Sequence, residues 1–325
     1  MNAPLLVIGL PLDPGQRALV AEAAGQADIA YLADLDPPAR QAALRAATVL
    51  LARDIARELR PGEAALLGNL RLLQFMTAGV DHIPLSQLPD VPMATNGGAY
   101  ADSMAEHGLA MALAAAKRLL VEHAHLARGA FNQFTPNRML AGGVCGIFGH
   151  GGIGRAMARL ARGIGMRVHA INRRGQADDA VDWIGTPDRL NELLAASDVL
   201  VICAPLTRAT IDLVGAAELA RMKEDAILVN LARGEIIVEQ ALYDYLRAHP
   251  RFTACIDAWW VEPVRHGTFR MDHPFLDLPN VIGSPHNSAQ GGSRDAGLHG
   301  ALANCRRALM GEEPLHLIGE EERMK

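Results

Sequence analysis

Residues 144–160 read Val-Cys-Gly-Ile-Phe-Gly-His-Gly-Gly-Ile-Gly-Arg-Ala-Met-Ala-Arg-Leu: an apolar run, spaced glycines, then the start of a helical pattern. The run Val144–Phe148 is short and apolar throughout, as a strand buried on both faces must be. Gly149, Gly151 and Gly154 form a GxGxxG pattern between that strand and the helix that follows. Gly149 permits a tight turn, Gly151 lets the backbone approach a pyrophosphate, and Gly154 lets helix and strand pack closely. The amides at the helix start, Gly152 and Ile153, would donate to the phosphates, aided by the partial positive charge of the helix end. Alone, such a glycine pattern is a weak signal; placed between strand and helix it marks a dinucleotide site.

The next strand, Arg167–Ile171, ends in Asn172-Arg173-Arg174. An acidic residue there would bind a ribose 2′-hydroxyl, and none is present. Two guanidinium groups instead suit a 2′-phosphate, which they neutralise and bond in a forked manner. The expectation is therefore NADP(H) rather than NAD(H), with a plain solvated basic loop as the alternative. Farther on, Cys203-Ala-Pro-Leu-Thr207 closes another strand, and Ala204 and Pro205 are expected to pack against the adenosine half.

Short apolar runs alternate with amphipathic stretches along the whole chain. The strand expectations are Leu5–Leu10, Thr48–Leu51, Leu72–Phe75, Val144–Phe148, Arg167–Ile171, Val199–Cys203, Ala226–Asn230, Thr253–Asp257 and Val281–Gly283. Helical patterns fall between most of them, such as Ile153–Gly163 and Glu235–Arg247. This alternation predicts an α/β protein with parallel sheets covered on both faces. Asn96-Gly97-Gly98 is a turn signal, followed by a long Ala-rich helix over Ser103–Arg128, and only then by the glycine loop. The nucleotide domain thus reads as an insertion, with a last helix over about Gly291–Met310 returning to the first domain. The expected architecture is two doubly wound parallel-sheet domains, a Rossmann cofactor domain inserted into a flavodoxin-like substrate domain. Residues 1–101 with 288–325 form the substrate domain and residues 102–287 the cofactor domain, joined by two strands that permit hinge closure.

The chain has 325 residues, which suits two domains better than one core. A net charge of −5 and the lack of a basic run argue against a nucleic-acid partner. The four cysteines lie far apart, without metal-ligand or redox spacing, and read as small buried thiols in a reducing compartment. The N-terminal stretch lacks the basic and long apolar regions of a signal peptide, and the longest apolar helical stretch, Gly108–Ala116, is too short for a bilayer. No metal, no membrane and a cytoplasmic location are the expectations.

Three later stretches carry residues suited to carbonyl chemistry. Arg233 follows the strand ending at Asn230, and a fixed guanidinium there can clamp a carboxylate or polarise a carbonyl. Asp257 and Glu262 are five apart in Asp-Ala-Trp-Trp-Val-Glu-Pro, and His286 follows a third strand in Ser-Pro-His-Asn. Hydride addition to a keto carbon leaves an alkoxide that needs a proton from a group titrating near neutrality, and histidine meets that need. A carboxylate such as Glu262 would hold its tautomer and favour the imidazolium. Each residue has a plainer alternative: Arg233 as a helix cap, Asp257 as an N-cap, His286 as a structural histidine. Their order behind a dinucleotide loop favours the shared role.

At these residues the chain resembles the D-isomer-specific 2-hydroxyacid dehydrogenase family, which includes glyoxylate/hydroxypyruvate reductases and D-lactate, phosphoglycerate, formate and phosphite dehydrogenases. The resemblance covers nearly the whole chain: Ala78-Gly79-Val80-Asp81, Ala105-Glu106-His107, the glycine loop, Asn230 to Gly234, Asp257 to Pro263, and Pro285-His286. It implies that Arg233, Glu262 and His286 are the catalytic triad and that Asp257 sits by the nicotinamide carboxamide. It also implies that backbone amides around Thr77, Ala78 and Gly79 hold the substrate carboxylate, and that the protein is a homodimer through the cofactor domain. Two features depart from the family pattern. Residues 264–272 form a longer link than usual, and Trp259-Trp260 is bulkier than usual and reads mainly as packing.

The expected substrate is a small 2-keto or 2-hydroxy acid, with glyoxylate or hydroxypyruvate favoured because the arginine pair suggests reductive NADPH chemistry. Arg53, just past the strand at residues 48–51, is a candidate contact for a polar substrate tail. A bulkier acid such as pyruvate or phenylpyruvate, and a non-enzymatic dinucleotide sensor, are the competing readings.

Overall fold

The computed structural model describes residues 3–178, 181–292 and 295–323. The chain forms two compact units, Met1–Tyr100 with Gly292–Lys325, and Ala101–Gly291. The sequence boundaries were expected near 101/102 and 287/288; the second crossing comes later for a local reason. The turn at Ser288 belongs to the second unit, where Ser103 Oγ donates to Ser288 O at 2.6 Å and accepts from Gly291 N at 2.9 Å.

In the first unit, strands β1 (Leu5–Ile8), β2 (Asp28–Tyr31), β3 (Val49–Ala52), β4 (Leu72–Phe75) and β5 (Met93–Ala94) pair in parallel. Their order is β2-β1-β3-β4-β5, that of flavodoxin-like sheets. Successive side chains leave opposite faces of a strand, so each strand feeds two cores. Leu6, Ile8, Val49, Leu51 and Leu72 pack with Leu298, Leu302 and Cys305 of helix Ala296–Leu309. Val7, Leu50, Leu73 and Phe75 pack on the other face with Leu44, Ile55 and Leu67.

The second unit holds β6 (Val144–Phe148), β7 (Arg167–Ile171), β8 (Trp183–Gly185), β9 (Val199–Ile202), β10 (Ile227–Asn230), β11 (Thr253–Ile256) and β12 (Val281–Gly283). The parallel order β12-β11-β10-β9-β6-β7-β8 reverses between β6 and β9, as in doubly wound nucleotide-binding sheets, with one strand added at the far edge. Strands β6, β9 and β10 are buried at every residue, matching their apolar composition.

Three strands escape the apolar-run reading. β2 is an edge strand with a charged first residue, β5 has only two residues, and β8 is a three-residue edge strand. Pairing with neighbours, not composition, makes them strands. The Ala-rich helix expected over Ser103–Arg128 is two helices, Ala101–Ala116 and Leu119–Ala127. Arg118 lies between them at φ 53°, in the left-handed region. The first helix buries six residues and the second none, so the break occurs where the chain leaves the core. The pattern over Glu235–Arg247 divides likewise into a 3-10 turn, Gly234–Ile236, and a helix, Glu239–Ala248, because Ile237 makes a bridge with Val214. The last helix was expected from Gly291; it runs over Ala296–Leu309, and Ser293 and Arg294 lie outside the described residues.

Cys145, Cys255 and Cys305 are buried and Cys203 is half-buried; burial pushes the Cys145 thiol up to about 12. Among the described residues no helix is long and apolar enough to cross a membrane. The Trp pair is a packing element. Trp260 stacks on Phe275 at 5.2 Å and Trp259 meets it edge-on at 6.4 Å. Phe275 is wholly buried and also takes the edge contact of Tyr243. Phe275→Ala should therefore destabilise the second unit by about 3–5 kcal/mol, read from the shift in its urea unfolding midpoint at unchanged slope.

Candidate active site

The glycine loop leaves β6 with two amides bonded across to β7: Gly149 N and His150 N both donate to Ile171 O, at 3.0 and 2.9 Å. Gly149 sits at φ 104°, and a Cβ there would lie 2.4 Å from Ala204 N. The Cys203–Pro205 segment thus packs on the loop backbone. A Cβ at Gly154 would lie 2.4 Å from Gly149 O, so helix and loop touch backbone to backbone. At Gly151 a Cβ would meet nothing within 4 Å. That open side lies at the start of helix Gly152–Gly163, which has no side-chain cap. Unblocked backbone at a twelve-residue helix N-terminus fits an anionic pyrophosphate.

After β7, Asn172 shapes its own loop. Its Oδ1 accepts from Arg174 N at 3.0 Å and from Gln176 N at 3.4 Å, while its Nδ2 donates to Gln176 O at 2.7 Å. Arg173 and Arg174 are exposed on that turn.

Arg233 follows β10 in a turn held by buried Asn230, whose Oδ1 accepts from Ala232 N at 3.0 Å and whose Nδ2 donates to Arg233 O at 2.8 Å. Arg233 Nη1 donates to Ala232 O at 2.7 Å. The next residue must be glycine, since a Cβ on Gly234 would lie 2.5 Å from both Trp259 C and Trp260 N. This contact brings the turns after β10 and β11 together.

His286 Nδ1 lies 2.8 Å from both carboxylate oxygens of Glu262. Glu262 is buried, and its Oε1 also accepts from Trp259 N at 2.7 Å. Burial pushes its carboxyl up, but the His286 hydrogen bond and charge, the Trp259 amide and the Arg233 charge outweigh this and hold it below its ordinary value. A carboxylate accepting from Nδ1 leaves Nε2 as the ring nitrogen able to exchange a proton with a ligand.

His286 stands at φ 49°, a left-handed conformation uncommon outside glycine. Asp257 holds that turn. It is fully buried, and its Oδ1 accepts from Ser284 Oγ at 2.6 Å and Asn287 N at 3.2 Å, its Oδ2 from Ser288 N at 3.4 Å. The backbone oxygen of Asp257 accepts from His286 N at 3.0 Å. His107, on helix Ala101–Ala116, places Nε2 2.9 Å from Ser284 Oγ and 3.7 Å from Asp257 Oδ1. His107, one residue of the Ala105-Glu106-His107 motif, and Ser284 are site residues whose roles the sequence does not single out. The spacing of Ser284 to His286, one turn after a strand, was the available signal.

Thr77, Ala78, Gly79 and Arg53 belong to the first unit. Thr77 O accepts from Asn96 N at 2.8 Å, and Thr77 Oγ1 is buried with no hydrogen-bond partner among the described residues. Arg53 N donates to Glu58 at 2.9 and 3.1 Å, at a cleft of about 380 Å³ past β1 and β3 that Gly9, Arg40, Arg57 and Glu58 also line. Burial, opposed by the amides of Arg53 and Asp54, leaves the Glu58 carboxyl raised.

A family model described as D-isomer specific 2-hydroxyacid dehydrogenase, NAD binding domain, matches residues 109–288. A glyoxylate reductase of Korarchaeum cryptofilum is 32% identical over 271 residues, covering 78% of this chain and 77% of that one. A D-3-phosphoglycerate dehydrogenase of Methanocaldococcus jannaschii is 32% identical over 231 residues, 68% of this chain but 42% of that longer one. The fold is shared with a D-isomer specific 2-hydroxyacid dehydrogenase from Xanthobacter autotrophicus Py2, solved with NADPH and MES: TM-score 0.77, 24% identity, 98% of each chain.

The lowered Glu262 carboxyl has a consequence for stability. A depressed folded value stabilises the protein above the ordinary carboxylate range, and that contribution is lost as pH falls through the folded value. Glu262→Gln should therefore lower Tm at neutral pH and flatten its fall on acidification. Parallel Tm curves for variant and wild type across that range would count against a charged Glu262.

Proposed function

The chain belongs to the D-isomer-specific 2-hydroxyacid dehydrogenase family, and from that premise we propose that it reduces glyoxylate or hydroxypyruvate with NADPH. Members are nicotinamide-dinucleotide oxidoreductases acting on small 2-hydroxy acids. The observation that carries the proposal is the His286–Glu262 pair at 2.8 Å. In this reading a nicotinamide dinucleotide, when bound, would supply the hydride for the keto carbon, and His286 Nε2 gives the proton to the carbonyl oxygen. Glu262 fixes the ring tautomer and stabilises the imidazolium before transfer. Arg233 clamps the carboxylate and polarises the carbonyl.

The glycine cradle of Gly149, Gly151, Gly152, Ile153 and Gly154 would hold the pyrophosphate, and Ala204 and Pro205 would pack against the adenosine half. Asp257, with no exposed surface, is better assigned to holding the His286 turn than to touching the carboxamide directly. The amides of Thr77 to Gly79 take the substrate carboxylate, and the buried Thr77 hydroxyl, without a hydrogen-bond partner among the described residues, supports a ligand there. Arg53 meets a polar substrate tail. The exposed Leu119, Leu120, Leu126, Phe131, Phe134 and Met139 on the second unit support a homodimer through that unit.

Mixing the protein with NADPH and glyoxylate, then hydroxypyruvate, and following loss of reduced-nicotinamide absorbance tests the reading. His286→Ala should lower kcat by about 10²- to 10⁴-fold while NADPH still binds, as read by quenching of its fluorescence. Wild-type protein that binds NADPH yet turns over no 2-keto acid would instead be a dinucleotide sensor. The cofactor preference has its own test. Changing Arg173 and Arg174 together to Ala should raise the NADPH KM by about 10- to 100-fold and the NADH KM by about twofold at most. Equal changes for the two cofactors would remove the 2′-phosphate assignment.

A further inference from the structure

The link after Pro263 folds onto its own unit. Residues Pro263–His266 make one helical turn, closed by Gly267 at φ 74°. Glu262 N donates to His266 Nδ1 at 3.0 Å, Arg270 N bonds to Val261 O at 3.3 Å, and Phe269 meets Trp259 edge-on at 5.7 Å. From this turn Arg265 reaches Glu235, with Nη2 to Oε1 at 2.7 Å and Nη1 to Oε2 at 2.9 Å. The pair is mostly shielded, with 11% and 22% of the two side chains exposed.

Its position in the chain gives the pair its meaning. Glu235 is two residues after Arg233, and Arg265 is three residues after Glu262. We propose that Arg265 is a positioning residue: its forked pair with Glu235 sets the turn carrying Arg233 against the turn carrying Glu262. The proposal rests on the catalytic reading of Arg233, Glu262 and His286. These turns also meet through the Gly234 backbone against Trp259–Trp260, the Trp260 indole donating to Ile237 O at 2.7 Å, and the Arg233 charge acting on Glu262. A forked guanidinium–carboxylate pair fixes orientation as well as distance. Glu235 O also accepts from Asp212 N at 2.8 Å, so loss of the ion pair should loosen the turn without unfolding it.

The test compares Arg265→Met, Arg265→Lys, Glu235→Gln and the Arg265→Met/Glu235→Gln double variant in steady-state reduction of glyoxylate by NADPH. Arg265→Met should lower kcat by about 10- to 100-fold, because a small displacement of reacting groups has effects of that size. NADPH affinity, read by fluorescence, should stay within about twofold, since the glycine loop is untouched. Arg265→Lys should recover part of the loss, as an ammonium keeps the charge without the fork. The double variant should be no slower than Arg265→Met alone, since both changes break one interaction. A purely structural pair would lower Tm while the folded fraction kept wild-type kcat, and that outcome overturns the proposal. Should Arg265→Met fail to fold, Glu235→Gln decides: kcat within about twofold of wild type overturns it equally. His286→Ala run alongside separates the two claims, because activity surviving in that variant removes the acid–base reading instead.

Discussion

A carboxylate buried in protein is costly unless neighbours favour its charge, and Glu262 is such a group. Three partners stabilise it: the His286 ring, the Trp259 amide and the Arg233 charge. Remove them and burial would favour the neutral acid, which would no longer hold the imidazole in one tautomer. The surrounding architecture serves to bring these partners to one carboxylate. They come from the ends of three neighbouring strands, β10, β11 and β12, whose loops the parallel order places side by side. That is where doubly wound sheets bind ligands, because carboxyl ends of parallel strands leave loops free of sheet hydrogen bonding.

Holding His286 toward Glu262 requires backbone in a sparsely populated conformation, and φ 49° persists only if the surroundings determine it. Asp257 provides that determination. One buried carboxylate gathers a serine hydroxyl and two successive amides from residues 284–288, while its own carbonyl takes the His286 amide. His107 extends the network to the helix at Ala101–Ala116. The site is therefore a set of turns anchored to buried polar groups, where hydrogen bonds fix orientations that apolar packing alone does not.

Close backbone approach is the second constraint on the unit. Gly149 against Ala204, Gly154 against Gly149 and Gly234 against Trp259–Trp260 all leave no room for a Cβ. The first two shape the cradle at the helix N-terminus, and the third joins the turns bearing Arg233 and Glu262. The rings of Trp259 and Trp260 pack on Phe275.

Much of this was legible in the sequence. Apolar runs such as Val144–Phe148 and Leu72–Phe75 are strands because a strand buried on both faces has few polar alternatives. GxGxxG after such a run names its own turn, since glycine is required wherever backbones touch. β2, β5 and β8 were not legible, because edge and two-residue strands depend on a neighbour for their pairing. The helix break at Arg118 was hidden as well, since the alanine-rich pattern continues past the point where the core ends. By itself, then, the sequence determined the α/β class, the dinucleotide loop, the family and the residue types suited to the chemistry. Tertiary structure alone decided that Asp257 faces the 284–288 turn, that His107 joins it, and that Arg265 meets Glu235. Those are contacts between side chains 27 to 177 residues apart, and no local periodicity encodes which polar groups will share a buried site.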